Sequence, residues 1–309
     1  MNKNVLLLYN PGAGHGKHDE QDLKKEIEAA GHNCEIRSVK EKGWEKIPKK
    51  TDWLAVAGGD GTVRKAMRLI QERKEDEPDW PLGIIPLGTA NNVARSVGCD
   101  APISTLIESW GMKSTRFNTG RVKHAEIQSL MFEAAGFGVF AEHILDMKRN
   151  PPKSEDKPLA EKLRDGCIAL LKVVKKFEPS HYRIESDGFR KEGDYLLLLA
   201  MNTPMIGPNL LFAPQADAGD SLLDLVSFGA DERGKLVEFL ERKIEGEEPA
   251  LATETIRAKK IVIFSSDKRY HIEDKLLEND GVSGVEIRVN ADPINVFAPG
   301  KEGDPSGKV

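Results

Sequence analysis

Short apolar runs alternate with amphipathic stretches along the first 120 residues, and Gly, Pro or Asn stands at most of the junctions between them. This alternation is typical of a parallel β-sheet with helices packed on its faces. The predicted strands are Val5–Tyr9, Asn33–Val39, Trp53–Ala57 and Leu82–Ile85. We therefore predict an α/β domain over residues 1–122.

Strand-like patterns dominate the rest of the chain, where helical patterns become fewer. The predicted strands are Glu126–Ala134, His181–Ser186, Tyr195–Asn202, Leu222–Ser227, Lys260–Phe264 and Gly284–Val289. They indicate a second, mainly antiparallel β-domain over residues 123–300. A helical insertion is predicted near 146–178, where a charged, proline-containing loop precedes an amphipathic helix over 159–177. Residues 301–309 are expected to form a disordered tail.

Three predicted strands of the first domain end in loops that are rich in Gly, Pro and Asn. The loops are NPGAGHGK at 10–17, GGDGT at 58–62 and PLGTANN at 86–92. Ligands of open parallel sheets bind beyond the carboxyl ends of the strands, so these loops can meet at one crevice. We expect the active site there.

The loop GGDGT combines features of a phosphate site. Its glycines, Gly58, Gly59 and Gly61, let a ligand approach the main chain, and a helix predicted to start at or just after Thr62 offers free N–H groups. A carboxylate repels phosphate, so Asp60 is better suited to hold a metal-bound water or to act as a base on an attacking hydroxyl. The alternative is a tight strand-to-helix turn with Thr62 as its N-cap.

The two neighbouring loops have related chemistry. In the first, Gly12, Gly14 and Gly16 lead to Lys17 at the start of a helix, which is an anion-binding arrangement without the Walker A frame. The last loop offers Gly88 for close approach, and it carries hydroxyl and amide groups on Thr89, Asn91 and Asn92. Asn91 or Asn92 is predicted to be the N-cap of the next helix.

Composition narrows the class of protein. Fifty acidic and 45 basic residues in a chain of 309 leave a net charge of −5, which gives no bulk attraction to nucleic acid. The longest apolar runs fall far short of the roughly 20 residues that span a bilayer, so we expect no transmembrane segment and a cytoplasmic protein. Its three cysteines lack metal-ligand spacing and are expected to be reduced and structural.

The three loops together resemble the diacylglycerol kinase catalytic-domain family, which includes sphingosine kinases and bacterial lipid kinases. In the second half, FAPQADAGDSLLDLV at 212–226 and FEAAGFGVFAE at 132–142 resemble further segments of that family. The resemblance implies an N-terminal domain related to phosphofructokinase and NAD kinase, followed by a β-sandwich. It also implies an ATP-dependent kinase that phosphorylates a lipid hydroxyl.

The resemblance assigns roles to matching positions. Residues expected to bind ATP are Asn10, Pro11, Gly12, Gly14, Gly58, Gly59, Asp60, Gly61, Thr62, Gly88, Thr89 and Asn91. Asp217, Asp220 and the main chain at Leu222 would match a magnesium site, and closely spaced carboxylates do supply the hard oxygen ligands that Mg²⁺ prefers. The alternative for this segment is a solvated acidic turn.

Some positions depart from the family pattern. Arg64 and Lys65 stand where the family has Asn-Glu, Asn92 stands for an Asp, and Ser221 stands for a Gly. The family's D-G-E segment, associated with the general base, aligns best with Glu273, Asp274 and Lys275, while Asp280-Gly281 is a second candidate. The predicted catalytic carboxylates are therefore Asp60, Glu273 and Asp274.

The predicted reaction is in-line transfer of the γ-phosphate of ATP, assisted by Mg²⁺, to a diacylglycerol-like or sphingoid hydroxyl. A lipid kinase without an anchor must visit the membrane, and we expect the 159–177 helix either to meet the membrane or to pack on the β-domain. The acyl chains would lie in an apolar groove between the domains. A homodimer remains open, as do two other functions: a kinase for a soluble substrate, similar to NAD kinase, and a non-catalytic nucleotide or lipid sensor.

Overall fold

The computed structural model describes residues 2–13, 19–151, 157–249, 251 and 255–299. The chain divides into two compact units, residues 1–117 with 292–309, and residues 118–291. Each unit has its own β-sheet and its own buried core. Within the described residues, no helix is both long enough and apolar enough to cross a membrane.

The first unit alternates strands and helices. Its strands before the domain boundary are β1 (Asn4–Tyr9), β2 (Asn33–Ser38), β3 (Trp53–Gly58), β4 (Leu82–Pro86) and β5 (Ser114–Phe117). Its helices are α1 (Glu20–Ala29), α2 (Asp60–Gln71), α3 (Asn92–Ser96) and α4 (Ile103–Ser109). Strands β1 to β4 pair in parallel in the order β2-β1-β3-β4, which confirms the predicted α/β sheet.

The second unit is mainly β. Its strands are β6 (Gly120–His124), β7 (Ile127–Met131), β8 (Ala134–Gly138), β9 (Ser180–Ser186), β10 (Phe189–Met201), β11 (Met205–Ile206), β12 (Leu210–Leu211), β13 (Leu223–Gly229), β14 (Thr255–Ala258), β15 (Lys260–Ser265), β16 (Arg269–Ile272), β17 (Lys275–Glu278) and β18 (Val285–Val289). Its helices are α5 (Val139–Arg149), α6 (Leu159–Lys176) and α7 (Arg233–Ile244), with a 3₁₀ turn at Ala230–Glu232. The strand pairs are antiparallel, as predicted.

The chain then returns to the first unit. The last strand, β19 (Ile294–Phe297), pairs in parallel with β4 and antiparallel with β5. Residues 118–122 belong to the second unit, because β6 pairs with β18 and β7. The observed boundaries therefore differ from the predicted 122/123 division, since local pattern does not tell which sheet a short strand will join.

Strand β10 organises the core of the second unit. Its residues from Tyr195 to Met201 are all buried, and from Leu197 onwards their side chains alternate between two apolar clusters. One cluster lies among the strands, and the other is covered by α5, α6 and α7. Strands that are buried on both faces read as continuous apolar runs, which explains the sequence Tyr-Leu-Leu-Leu-Leu-Ala-Met.

Helix α6 confirms the predicted helix and identifies the face that it buries. Its buried residues are Cys167, Leu170, Val173 and Val174. They pack in the cluster on β10, so the helix is a component of this unit's core. Leu159 is 48% exposed, because it lies at the first position of the helix, more than two turns before Cys167.

Candidate functional site

The three glycine-containing loops follow β1, β3 and β4, which are adjacent in the sheet. Main-chain hydrogen bonds continue past the strand ends and tie the loops together. The N–H of Asn10 donates to the carbonyl of Ala57 at 3.0 Å, and the N–H of Leu87 donates to the carbonyl of Gly58 at 2.9 Å. The loops therefore form one surface at the carboxyl edge of the parallel sheet, where ligands of such sheets bind.

Two glycines allow the second and third loops to touch. A Cβ on Gly88 would lie 2.3 Å from the Cα of Gly59, and a Cβ on Gly59 would lie 2.9 Å from the Cα of Gly88. A Cβ on Gly58 would likewise lie 2.6 Å from the Cβ of Thr62. Packing of the protein on itself therefore requires Gly58, Gly59 and Gly88, whatever ligand binds beside them.

The first loop is joined to the second through a side chain. Nδ2 of Asn10 donates to Oγ1 of Thr62 at 3.2 Å, and its Oδ1 accepts the N–H of Gly12 at 3.2 Å. Pro11 and Gly12 are exposed beside this contact. Gly14, the remaining predicted residue of this loop, lies outside the described residues.

Asp60 links the second loop to a helix of the third. Helix α2 begins at Asp60 with Gly59 as its N-cap, which corrects the predicted start at or just after Thr62. The alternative, in which Thr62 is the N-cap of this helix, is wrong as well. Oδ1 of Asp60 accepts the N–H of Val93 in the first turn of α3 at 3.0 Å. Its Oδ2 makes no hydrogen bond to another described residue.

Asn91 shapes the third loop from within. As the N-cap of α3 it has a left-handed backbone with φ 53°, which Asn tolerates better than most residues. Its Oδ1 accepts the N–H of Gly88 at 2.8 Å, and its Nδ2 donates to the carbonyl of Gly88 at 3.1 Å. These contacts leave Thr89 exposed at the tip of the loop. Of the predicted ATP contacts in this loop, Asn91 has a visible structural task and Thr89 faces solvent.

Gly61 differs from the other glycines of the site. It is exposed in the first turn of α2, and the nearest atom to a Cβ built there is Nη2 of Arg64 at 3.8 Å, an ordinary contact. The first N–H groups of the helix to find a helical acceptor are those of Thr62 and Val63, which both donate to the carbonyl of Gly59. The N–H groups of Asp60 and Gly61 therefore have no helical acceptor. The first turn of α2 therefore has open space beside Gly61 and two main-chain donors, an arrangement that suits an anion such as phosphate.

The predicted magnesium ligands lie in a turn of the second unit, before β13. Oδ1 of Asp217 accepts the N–H of Gly219 and Oδ1 of Asp220 accepts the N–H of Leu222, both at 2.8 Å. Ser221 has a left-handed backbone with φ 62°, and its hydroxyl donates to Oδ1 of Asn118 at 3.3 Å. The turn therefore keeps a conformation that suits Gly, although Ser occupies the position.

The donor set of this turn fits Mg²⁺ in kind, because carboxylate and main-chain oxygens are its usual ligands. In the described part of the chain, no three Asp, Glu, His or Cys side chains are grouped to hold a metal, so main-chain oxygens would have to complete the set. Oδ2 of Asp220 is already bonded to Nη2 of Arg257.

Sequence patterns did not reveal Arg257, because β14 was not predicted. The residue lies directly opposite Asp224 across the β13–β14 pair, and its Nε is 3.8 Å from Oδ1 of Asp224. Burial raises the pKa of Asp224, while Arg257 lowers it and Asp220 raises it further. Only the pairing of β13 with β14 brings this arginine to the acidic turn.

Glu273 and Asp274 form the turn between β16 and β17. Glu273 has a left-handed backbone with φ 56°, and its carboxylate accepts N–H groups of Phe132 and Glu133, the latter at 3.1 Å. Its own N–H donates to the carbonyl of Ala134 at 2.9 Å. Glu273 thus joins two turns of the second unit, while Asp274 is exposed.

Comparison with known proteins gives the family. A model described as "Diacylglycerol kinase catalytic domain" matches residues 4–122, and one described as "YegS C-terminal NAD kinase beta sandwich-like domain" matches residues 156–298. The chain belongs to the diacylglycerol kinase catalytic-domain family. The second match also confirms the predicted β-sandwich-like character of the second domain of this family member.

Individual relatives of this family member are distant. It is 27% identical over 277 residues to a diacylglycerol kinase of Mycobacterium tuberculosis (83% of this chain, 84% of the relative). It is 26% identical over 251 residues to a diacylglycerol kinase of Bacillus subtilis (77% of each chain). The crystal structure of a diacylglycerol kinase from Bacillus anthracis matches with a TM-score of 0.68 and 18% identity over 98% of both chains, which shows the fold. The names of the family and of these relatives support a lipid kinase.

Proposed function

We propose that this protein is a lipid kinase that transfers the γ-phosphate of ATP to the hydroxyl group of a diacylglycerol-like or sphingoid lipid. The observation that carries the proposal is the close packing of Gly59 against Gly88 beside the open first turn of α2. Three loops from adjacent strands are held together there, and they leave main-chain N–H donors and an exposed glycine for phosphate. Family membership supports the same activity.

Phosphate binding is assigned to the main chain. The N–H groups of Asp60 and Gly61 stand at the positive end of α2, where anions are favoured. Pro11, Gly12 and Thr89 are exposed on the flanking loops and supply the remaining contacts. Phosphoryl transfer requires mostly positioning and charge stabilisation, and preformed main-chain donors provide both.

Asp60 is the carboxylate assigned to the acceptor hydroxyl. One oxygen is fixed by the N–H of Val93, so the direction of the side chain is set before substrate arrives. The other oxygen can accept a hydrogen bond from the hydroxyl group and orient it towards the phosphate. Glu273 is assigned to the turn that it supports, and exposed Asp274 remains a second candidate for the proton acceptor.

Magnesium is assigned to Asp217, Asp220 and the main chain at Leu222. When bound there, the ion would supply a positive charge to the acidic turn. The residues of this chain hold that turn in place through Asn118, whose N–H donates to the carbonyl of Ala218 at 2.7 Å and whose Oδ1 accepts from Ser221.

The test is transfer of label from γ-labelled ATP to lipid. The full chain would be assayed with diacylglycerol, sphingosine, phosphatidylglycerol and ceramide in detergent micelles, with NAD as a soluble acceptor and Asp60→Asn as the matched control. We expect one lipid class to be labelled and the control to transfer label about 10²-fold more slowly. Labelling of NAD without micelles would instead indicate a kinase for a soluble substrate, and ATP binding without transfer to any acceptor would indicate a sensor.

Association with the membrane follows from the proposed substrate. A kinase of water-insoluble lipid must reach it at an interface, and we propose a transient, peripheral encounter by a protein of the cytoplasm. Flotation with phosphatidylglycerol vesicles, with and without substrate lipid, measures it; a protein that never floats would contradict this part of the proposal. Sedimentation equilibrium in the same buffer would decide between monomer and homodimer.

A further inference from the structure

One arginine faces two carboxylates at the acidic turn of the second unit. Arg257 and Asp224 are direct cross-strand partners on β14 and β13, so their side chains leave the sheet on the same face. The guanidinium reaches Asp220 with Nη2, and its Nε is 3.8 Å from Asp224. A single guanidinium therefore serves a carboxylate on the strand and another in the turn before it.

The buried carboxylate of Asp224 is the reason that the position of the Arg257 guanidinium matters. The residue is 1% exposed, and its Oδ1 accepts no hydrogen bond in the part of the chain that the structure describes. A buried carboxylate without such a partner is costly unless a positive charge lies near it. Arg257, whose side chain is 43% exposed, is a positive charge that belongs to the protein itself. A metal ion bound in the turn would supply a positive charge in its place.

We propose that Arg257 competes with Mg²⁺ for Asp220 and thereby sets the metal concentration at which the acidic turn is occupied. This inference rests on the magnesium assignment in the proposed function. A metal ion that takes up Oδ2 of Asp220 must displace the guanidinium and then lie close to a like charge. With Arg257 in place, the turn is a weak metal site. Without it, the same turn is a stronger one with an unchanged set of oxygen ligands.

The test measures metal binding by the full chain without ATP or lipid. Mn²⁺ would serve as the probe, because its free aquo ion gives an electron paramagnetic resonance signal that disappears on binding. Arg257→Gln removes the charge, and Arg288→Gln on β18 is the matched control, since Arg288 is an exposed strand arginine of the same unit. We expect Arg257→Gln to bind Mn²⁺ about tenfold more tightly than the wild type, or about 1.4 kcal/mol. The control should equal the wild type.

A second substitution localises the effect. Adding Asp220→Asn to Arg257→Gln should abolish the gain in affinity, whereas a gain that persists would overturn the inference. Equal or weaker binding by Arg257→Gln, or an absence of Mn²⁺ binding by every variant, would overturn it as well. If Arg257→Gln does not fold, Arg257→Lys replaces it. This variant should also bind Mn²⁺ more tightly than the wild type, because its side chain is shorter. Wild-type or weaker affinity in that variant contradicts the competition.

The binding assay separates the two proposals. Tighter Mn²⁺ binding by Arg257→Gln, with no transfer of phosphate to any acceptor, would support the competition between Arg257 and the metal ion and contradict the proposed kinase activity. Lipid phosphorylation by the wild type, together with equal Mn²⁺ affinities of the wild type and Arg257→Gln, would support the kinase and contradict the competition.

Discussion

Oδ1 of Asp60 accepts the main-chain N–H of Val93 at 3.0 Å, so a residue at the start of α2 caps the first turn of α3. The contact joins the loops after β3 and β4 and fixes one of the two carboxylate oxygens. Asp60 thus has a structural task in addition to the catalytic one assigned to it, and the two tasks can be separated by substitution.

Asp60→Asn should retain the fold and lower turnover by about 10²-fold, because the amide keeps an oxygen for Val93 but loses the negative charge. Asp60→Ala should lose activity and also about 1 kcal/mol of unfolding free energy, the usual cost of a lost helix cap. Steady-state rates and urea unfolding curves measure both. An Asp60→Asn variant with the turnover of the wild type would remove Asp60 from the mechanism.

Gly61→Ala should bind ATP about tenfold more weakly, because a methyl group would enter the space where phosphate approaches the main chain. Its unfolding free energy should not fall, since alanine meets only Arg64 at 3.8 Å and suits a helix better than glycine. Calorimetric titration with ATP and thermal denaturation test the pair of effects.

The matched variant is Gly88→Ala, whose Cβ would lie 2.3 Å from the Cα of Gly59. We expect a loss of about 2 kcal/mol or more in unfolding free energy, as overpacked sites show. Equal stability of the two variants would contradict the division of the glycines into those that serve packing and one that serves the ligand.

Glu273→Ala should destabilise the protein by about 2 kcal/mol, because the N–H groups of Phe132 and Glu133 would lose their carboxylate acceptor. Glu273→Gln retains an oxygen for these donors. It should change the transfer rate less than threefold, because Glu273 supports a turn and is not assigned to the reacting groups. Comparing the transfer rates of Glu273→Gln and Asp274→Asn tests which of these two carboxylates accepts the proton of the hydroxyl group. A large loss of rate in Glu273→Gln with unchanged stability would return Glu273 to the catalytic centre.

His271 should make stability depend on pH. Complete burial lowers its pKa to about 4, opposed by its hydrogen bond to the carbonyl of Glu273. The unfolded chain, with a histidine pKa near 6.5, binds more protons between those values, so stability is full above about pH 6.5 and is lost as pH falls towards 4. Between pH 7 and pH 5 this amounts to about 2 kcal/mol.

His271→Gln supplies the comparison, because glutamine does not titrate. Urea unfolding at pH 7 and pH 5 should show a smaller drop in stability for this variant than for the wild type. An identical drop in both proteins would mean that other groups carry the pH dependence.

Local patterns predicted much of the fold. Val5–Tyr9, Trp53–Ala57 and Leu82–Ile85 form parallel strands because their apolar runs suit burial on both faces of a sheet. The short edge and return strands β5, β14 and β19 escaped prediction. Four-residue segments carry too little periodicity, and only pairing with distant strands stabilises them.

The candidate site divides in the same way. The glycines, Asp60 and the acidic turn stand out in the sequence, since glycine and carboxylate groups at strand ends carry recognisable chemistry. Which glycines serve packing and which one is left for a ligand depends on distances between the second and third loops. The binding of Glu273 to two main-chain N–H groups likewise depends on a turn 140 residues away in sequence.

The sequence by itself therefore determined the α/β and β fold classes, the three glycine-containing loops at strand ends and the resemblance to lipid kinases, because these depend on short-range patterns. The tertiary structure decided the partners. It placed Val93 on Asp60, Gly88 against Gly59 and Arg257 beside Asp220 and Asp224. Such contacts arise from strand order and register, which join residues that no local pattern relates.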